Sequence, residues 1–321
     1  MTRLAAVDCG TNSIRLLICD STDGKIKEIH RTMEIVRLGE GVDETGHFSN
    51  AALARTANAL EGYATIMDIE RVNKVRMVAT SASRDAANKD EFFAMTAELL
   101  GRVVPGAQAE IISGEEEAAL SFKGAVADLP PEDGPFCVVD LGGGSTELVL
   151  GVDAPAAAIS LDIGSVRLTE RYLADGVTPA AEEAARIEVR ELLDRAARTV
   201  DLAATGRLVG LAGTITTVTA HALGLAEFDP EAIDGAEFSV EDALASCDAI
   251  VHSTAAERES WGYLRPGRRD VIAAGALVWS EVIARVVAET TVAGRPLGVV
   301  VTSLHDILDG IALSLARGSG R

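Results

Sequence analysis

Residues 136–150 begin with an apolar run, Phe136-Cys137-Val138-Val139, that reads as a buried strand and stops at Asp140. Leu141 and then Gly142-Gly143-Gly144-Ser145 follow, and a second strand-like run starts at Thr146-Glu147. Glycines at such a turn leave backbone N–H groups bare and let the chain bend tightly. A loop of that kind can wrap an anionic group such as phosphate. Asp140 and Glu147 stand at its two edges, and carboxylate oxygens are what a hard cation such as Mg²⁺ prefers. Taken alone, the same residues would equally make a glycine-rich hairpin with two solvated acids.

A second copy shifts that balance. Residues 4–18 read Leu-Ala-Ala-Val-Asp8-Cys9-Gly10-Thr11-Asn12-Ser13-Ile-Arg15-Leu-Leu-Ile. Asp8 aligns with Asp140, Gly10 with Gly142 and Ser13 with Ser145, whereas Arg15 stands where Glu147 stands. The match suggests a duplicated unit. Two such hairpins would grip a phosphate chain through backbone amides, with an arginine in one copy and an extra carboxylate in the other.

Three further places could contribute. Ser113-Gly114-Glu115-Glu116-Glu117-Ala118 sets three acids at a helix start. First-turn acids suit the helix dipole and Ser113 suits the cap, so a structural reading accounts for two of them. The functional reading has one glutamate taking a proton from a water that attacks a phosphoanhydride. Arg84 follows a strand end at the mouth of a helix, where anions bind and an arginine adds a two-pronged donor; a surface arginine paired with Asp85 or Glu91 is the plain alternative. Gly213-Thr214 follows another strand and makes either a phosphate-contacting turn or a tight strand–helix connection. The five histidines do not cluster with cysteines at metal-ligand spacing, which argues against zinc.

These residues need elements to hold them. Strands are expected at 4–20 (a pair about the Asp8–Ser13 turn), 25–36, 75–79, 109–112, 136–140, 146–152, 156–161, 208–211 and 297–301. Helices are expected from Ser49 to about 67, from 88 to Leu100 with a stop at Gly101, and from 114 to about 127. Further helices are expected to open near 163 and at Pro179, to follow Ser239, and to span 269–290 and 304–316. Residues 38–46 read as loop. Alternating strands and helices, with meanders where the repeats begin, indicate an α/β protein in two lobes.

The chain has 321 residues, enough for two domains. Its net charge of −20 argues against broad nucleic-acid or membrane binding. A polyanionic substrate would need a local basic lining. Only 4% of residues are aromatic, so the core must be largely aliphatic. Cys9, Cys19, Cys137 and Cys247 form no C-x-x-C pair, and three of them lie in apolar strand-like runs, which fits a reducing, cytoplasmic compartment. The N-terminus shows no signal-peptide pattern. The apolar segment 271–287 is interrupted by Glu281 and Arg285, against a membrane span.

Over nearly its whole length the sequence resembles the exopolyphosphatase / guanosine pentaphosphate phosphohydrolase family, within the actin-like ATPase and sugar-kinase superfamily. The resemblance rests on Asp8 to Arg15, Ala79 to Asn88, Ile112 to Ala118, Asp140 to Glu147, Ala212-Gly213-Thr214 and Pro266 to Asp270. It implies two ribonuclease-H-like lobes with the active site in the cleft between them: residues 1–125, with helix 304–316 packed back on them, and residues 126–303. It implies Glu117 as catalytic base, with Glu116 one register away. It implies Asp140 and Glu147, joined by the aligned Asp8, as ligands of Mg²⁺ or Mn²⁺. Gly10, Thr11, Asn12, Ser13, Arg15, Arg84, Gly142, Gly143, Gly144, Ser145, Thr146, Gly213 and Thr214 become candidate substrate contacts. The implied activity is removal of terminal phosphate from inorganic polyphosphate by a cytoplasmic homodimer that binds neither membrane nor nucleic acid. Alternatives are hydrolysis of guanosine pentaphosphate, an ATPase or kinase of the superfamily, and a non-catalytic sensor of phosphate chains. Many relatives continue into a large helical C-terminal region that this chain lacks, so short polyphosphates are the expected substrates. An arginine often found near the family's last helix is absent here, where the chain reads Ser303-Leu304-His305-Asp306-Ile307.

Overall fold

The computed structural model describes residues 2–127 and 129–317. Two units are distinguished: residues 2–124 with 307–317, and residues 125–306, Asp128 aside.

In the first unit, β1 (Thr2–Cys9), β2 (Ser13–Thr22) and β3 (Lys25–Ile35) form an antiparallel meander. β4 (Lys74–Ala79) then runs parallel to β1, and β5 (Ala109–Ile111) parallel to β4, giving the order β3-β2-β1-β4-β5. β1 is apolar on both faces because both faces are covered. Ala5, Val7 and Cys9 join one core with Leu60, Tyr63 and Met67 of helix Asn50–Ile69. Leu4 and Ala6 join another with Leu120 of helix Gly114–Ala125 and Leu308 and Ile311 of helix Ile307–Arg317. Ser49 caps helix Asn50–Ile69 by accepting from the Ala52 amide at 3.1 Å.

The second unit holds β6 (Phe136–Leu141), β7 (Thr146–Gly151), β8 (Pro155–Leu161), β9 (Arg207–Leu211), β10 (Glu237–Ser239) and β11 (Val299–Thr302), in the order β10-β11-β9-β6-β7-β8. Without β10, this order and its strand directions repeat those of the first sheet. The sequence match of the two glycine hairpins is therefore a match of topology: each is the turn between the first two strands of its sheet.

The sequence reading needs local corrections. Residues 38–46 contain a helical turn, Val42–Thr45. Gly101 is the last residue of its helix rather than its stop. The short β10 was not foreseen. The late helices begin at Ile272 and Ile307, not at 269 and 304. Pro266–Arg268 forms a separate 3₁₀ turn ahead of the first, and the Ser303 hydroxyl, accepting from the His305 amide at 3.0 Å, forms a tight turn ahead of the second.

Helix Ile272–Val292 is buried nearly all round from Ile272 to Ile283 yet carries Glu281 there. An uncompensated charge there would be costly. Arg186 and Arg190 of helix Pro179–Ala196 compensate it at 2.7 and 2.8 Å. No helix among the described residues is long and apolar enough to cross a membrane.

Candidate active site

The two glycine turns close identically: Gly10 N–H donates to the Ser13 carbonyl at 2.9 Å, and Gly142 N–H to the Ser145 carbonyl at 3.0 Å. These two glycine amides are thus engaged in the turn rather than bare. The following amides are aimed by what happens behind the loops. The Gly142 carbonyl accepts from Ser165 N–H, and the Gly143 carbonyl from Val166 and Arg167 N–H, at 2.8 to 3.1 Å. The Gly144 carbonyl accepts from Arg167 Nε at 2.9 Å. In a planar trans peptide the next N–H points opposite to the carbonyl, so the amides of Gly143, Gly144 and Ser145 turn away from this anchor in a row. In the first loop, Thr11 C=O accepts from Gly39 N–H and Asn12 C=O from Val36 and Arg37 N–H, which turns the amides of Asn12 and Ser13 the same way. Among the described residues no acceptor is found for the N–H of Asn12, Gly143 or Gly144. Successive amides so presented make an anion-binding concavity.

Residues outside the motifs make this possible. A Cβ on Gly164 would lie 2.5 Å from the Gly143 carbonyl group, and one on Gly39 would lie 2.3 Å from Thr11 Cγ2. Gly39, Gly164 and Arg167 were missed as site residues, because nothing local in sequence says which distant segment will back a loop. Thr146, a candidate substrate contact, gives its hydroxyl to the Ile163 carbonyl at 2.7 Å and belongs to that backing.

Hairpin register then decides which charged groups meet. Asp140 lies directly across from Glu147 on β6 and β7, and Asp8 across from Arg15 on β1 and β2. The Asp8–Arg15 hairpin is an internal ion pair, with Arg15 Nε and Nη2 both donating to Asp8 Oδ2 at 3.0 and 2.8 Å. That pairing competes with the separate roles expected of Asp8 toward metal and of Arg15 toward phosphate. The Asp140–Glu147 hairpin opposes two buried carboxylates, and Glu147 Oε1 also accepts from the Ser160 hydroxyl at 2.7 Å. Like charges directly opposite on neighbouring strands repel, the more so out of water. Two oxygen-donor acids side by side fit a hard divalent cation. Among the described residues no cluster of three or more metal-ligating side chains occurs. Mg²⁺ is commonly held by one or two carboxylates with water and phosphate oxygens.

Three consecutive helical residues point about 100° apart, which separates the glutamates of helix Gly114–Ala125. The Ser113 hydroxyl caps the helix by accepting from Glu116 N–H at 3.2 Å. Glu115 and Glu116 are exposed. Glu116 pairs with Arg76 at 2.6 Å, and Arg76 also holds Glu110 and the Ser314 hydroxyl. Glu117 is buried and accepts from Arg84 Nη1 at 2.7 Å. Arg84 sits in the last turn of the short helix Ser81–Asp85, just past the C-terminal end of β4, and not at a helix N-terminus. Within the first unit the structure therefore brings Glu117 and Arg84 together and sets Glu116 on another face.

In the second unit, β9 runs straight into helix Ala212–Ala222. Ala212 takes φ 70°, a left-handed conformation that costs a non-glycine residue roughly 1–2 kcal/mol. The neighbouring Gly213 is needed for space: a Cβ there would lie 2.1 Å from the Arg268 guanidinium. Thr214 is buried against Gly275, where a Cβ would come within 2.4 Å of its hydroxyl oxygen. Arg268 thus covers the turn expected to contact phosphate, a position that sequence alone did not give it.

The Ppx/GppA phosphatase family profile matches residues 17–295. The chain is 50% identical to Exopolyphosphatase 2 of Mycobacterium tuberculosis over 321 residues, covering 98% of this chain and 99% of that protein. A solved exopolyphosphatase-like protein is 41% identical, with a TM-score of 0.93 over 99% of this chain and 100% of that one. A solved Ppx/GppA member from Aquifex aeolicus is 28% identical, with a TM-score of 0.77 over 100% of this chain and 99% of that one. The expected α/β fold of two ribonuclease-H-like units is the fold that these solved relatives share. By profile, by near-full-length identity and by fold, the chain belongs to the Ppx/GppA phosphatase family.

Proposed function

We propose that this protein is an exopolyphosphatase, hydrolysing the terminal phosphoanhydride of inorganic polyphosphate with Mg²⁺ or Mn²⁺. The observation that carries the reading is the near-full-length 50% identity to a protein named exopolyphosphatase; the geometry supplies parts for the chemistry. The amide rows of Asn12–Ser13 and Gly143–Ser145 would bind phosphate oxygens, with Arg84 and Arg268 adding charge. Asp140 and Glu147 would hold the cation, which when bound neutralises charge on the phosphoryl oxygens. Glu117 takes a proton from water as that water attacks the terminal phosphorus in line with the bridging oxygen. The P–O bridge breaks, releasing orthophosphate and a chain one unit shorter. The burial of Glu117 and its bond to Arg84 support it over the exposed Glu116 as base. Phosphate bound at Arg84 would compete for that arginine and leave the Glu117 carboxylate to the attacking water. Four buried cysteines, all free thiols, fit a reducing cytoplasm.

Phosphate release should be compared on short polyphosphate, long polyphosphate, guanosine pentaphosphate and ATP, each with Mg²⁺ and with excess EDTA. Release should be fastest from polyphosphate, short chains leading, and vanish in EDTA. Release from ATP alone, or undiminished release in EDTA, would overturn the reading.

A further inference from the structure

Residues 208–257 contain neither Lys nor Arg, and then Arg258, Arg265, Arg268 and Arg269 follow within a short stretch. In a chain of net charge −20 this is the kind of local basic lining that a polyanion requires. The segment that carries Arg268 is fastened at both ends. Before it, Leu264 is buried and Trp261 packs edge-on against His221, near the end of helix Ala212–Ala222, with ring centroids 5.3 Å apart. Gly262 lies so close to Ala226 that a Cβ would come within 2.4 Å of the carbonyl oxygen. After it, Val271 and Ile272 are buried where the long helix Ile272–Val292 begins. None of residues 265–270 is buried. Apolar burial therefore fixes the ends of this stretch and leaves its middle to polar contacts.

Arg258 supplies such a contact. It sits on the short helix Ala255–Ser260, whose start is secured by a reciprocal cap between Thr254 and Glu257. Its Nη2 and Nε donate to the Ser253 and Thr254 carbonyls at 3.3 and 3.4 Å, which ties the guanidinium to its own helix. Its Nη1 reaches across 11 positions to the Arg269 carbonyl at 2.8 Å. A planar, rigid fork of donors turns those contacts into a fixed placement of one segment against the other. Arg269 returns the contact, its Nη2 donating to the Glu259 carbonyl at 3.3 Å. Within the turn so held, Arg269 N–H donates to the Pro266 carbonyl and Val271 N–H to the Arg268 carbonyl, at 3.3 and 3.2 Å. The backbone of Arg268 is thereby set, and its guanidinium falls over Gly213. Arg258 could merely cap its own helix, but that role needs only the Ser253 and Thr254 carbonyls, and the shortest bond goes to Arg269 instead.

We infer that Arg258 is a positioning residue for the phosphate chain: by holding the turn at residues 265–270 it keeps Arg268 over Gly213, where Arg268 meets the substrate. The substrate in this inference rests on the proposed exopolyphosphatase reading; the linkage between the two arginines does not.

Two measurements test it. Nicking of the native protein by trypsin, which cuts after arginine, reads the linkage without any activity. Arg258→Met should speed cleavage after Arg268 and Arg269 by about tenfold or more, as the local opening equilibrium shifts, and leave cleavage elsewhere as in the wild type. The second measurement is a double-mutant cycle on polyphosphate hydrolysis. Arg268→Met should raise KM by about tenfold or more, the loss expected of a hydrogen bond from a charged donor. Arg258→Met should raise KM by at least about threefold with kcat within about twofold of wild type, whereas a purely structural loss lowers the active fraction, and so kcat, and leaves KM where it was. In the Arg268→Met background, Arg258→Met should change KM by less than about twofold, because its effect passes through Arg268. Unchanged nicking after Arg268 and Arg269, an unchanged KM in either single variant, or effects on KM that multiply in the double variant would overturn the proposal. A wild type that releases no phosphate from polyphosphate would overturn the proposed function instead, and the nicking rates would still decide the linkage.

Discussion

Burial and partners, more than sequence position, separate the three adjacent glutamates. Glu117 lies buried against Arg84, while Glu116 lies exposed on Arg76. Glu→Gln keeps shape and removes basicity, and a general base contributes ~10²–10⁴-fold. Glu117→Gln should therefore lower kcat by about that factor with little change in KM. Glu115→Gln and Glu116→Gln should stay within a few-fold of wild type. Steady-state phosphate release measures all three; an inactive Glu116→Gln beside an active Glu117→Gln would move the base by one residue. The opposed acids Asp140 and Glu147 give a second test. Millimolar Mg²⁺ should raise the melting temperature of the wild type through binding to the folded state, and Asp140→Asn should remove that rise along with activity. An equal Mg²⁺ shift in both proteins would place the cation elsewhere.

At the scale of elements, each glycine turn is held because another segment fastens its carbonyls from behind. Glycines make the approach possible for different reasons, and the reasons separate experimentally. At Gly164 an added Cβ meets the Gly143 backbone at 2.5 Å, and backbone has nowhere to go. Gly164→Ala should cost about 1–3 kcal/mol of stability, the range for overpacking, and lose activity with it. At Gly213 the added Cβ meets the end of the Arg268 side chain, which can swing aside. Gly213→Ala should therefore melt near wild type yet raise KM for polyphosphate. Thermal melts paired with kinetics distinguish the two; equal destabilisation at both positions would contradict this account of Arg268.

For the whole molecule the dominant electrostatic fact is a net charge of −20. Such a charge repels itself and burdens the compact state, although locally the candidate site offers amides and arginines to an anion. Raising NaCl from about 0.01 to about 0.15 M shortens the screening length from about 30 to about 8 Å. The melting temperature should rise over that interval as self-repulsion is screened. A flat or falling melting temperature would mean that favourable ion pairs, such as those of Glu281 with Arg186 and Arg190, outweigh the net repulsion.

Much of this is legible in the sequence alone. The apolar runs before Asp8 and Asp140 determined two buried strands, the glycines after them two tight turns, and their common spacing a repeated unit that the two sheets display as a repeated strand order. Those features are local, set by period, propensity and steric freedom within a few residues. What the sequence left open depends on groups distant along the chain. Hairpin register decided that Asp8 meets Arg15 and that Asp140 meets Glu147. Helix placement decided that Glu117 faces inward to Arg84 while Glu116 faces Arg76. Gly39 and Gly164 came to back the two glycine turns only once the chain brought them behind Thr11 and Gly143, 28 and 21 positions away in sequence. A residue's type limits the chemistry it can do. Its partner and its burial are set by the packing of segments that no local pattern encodes.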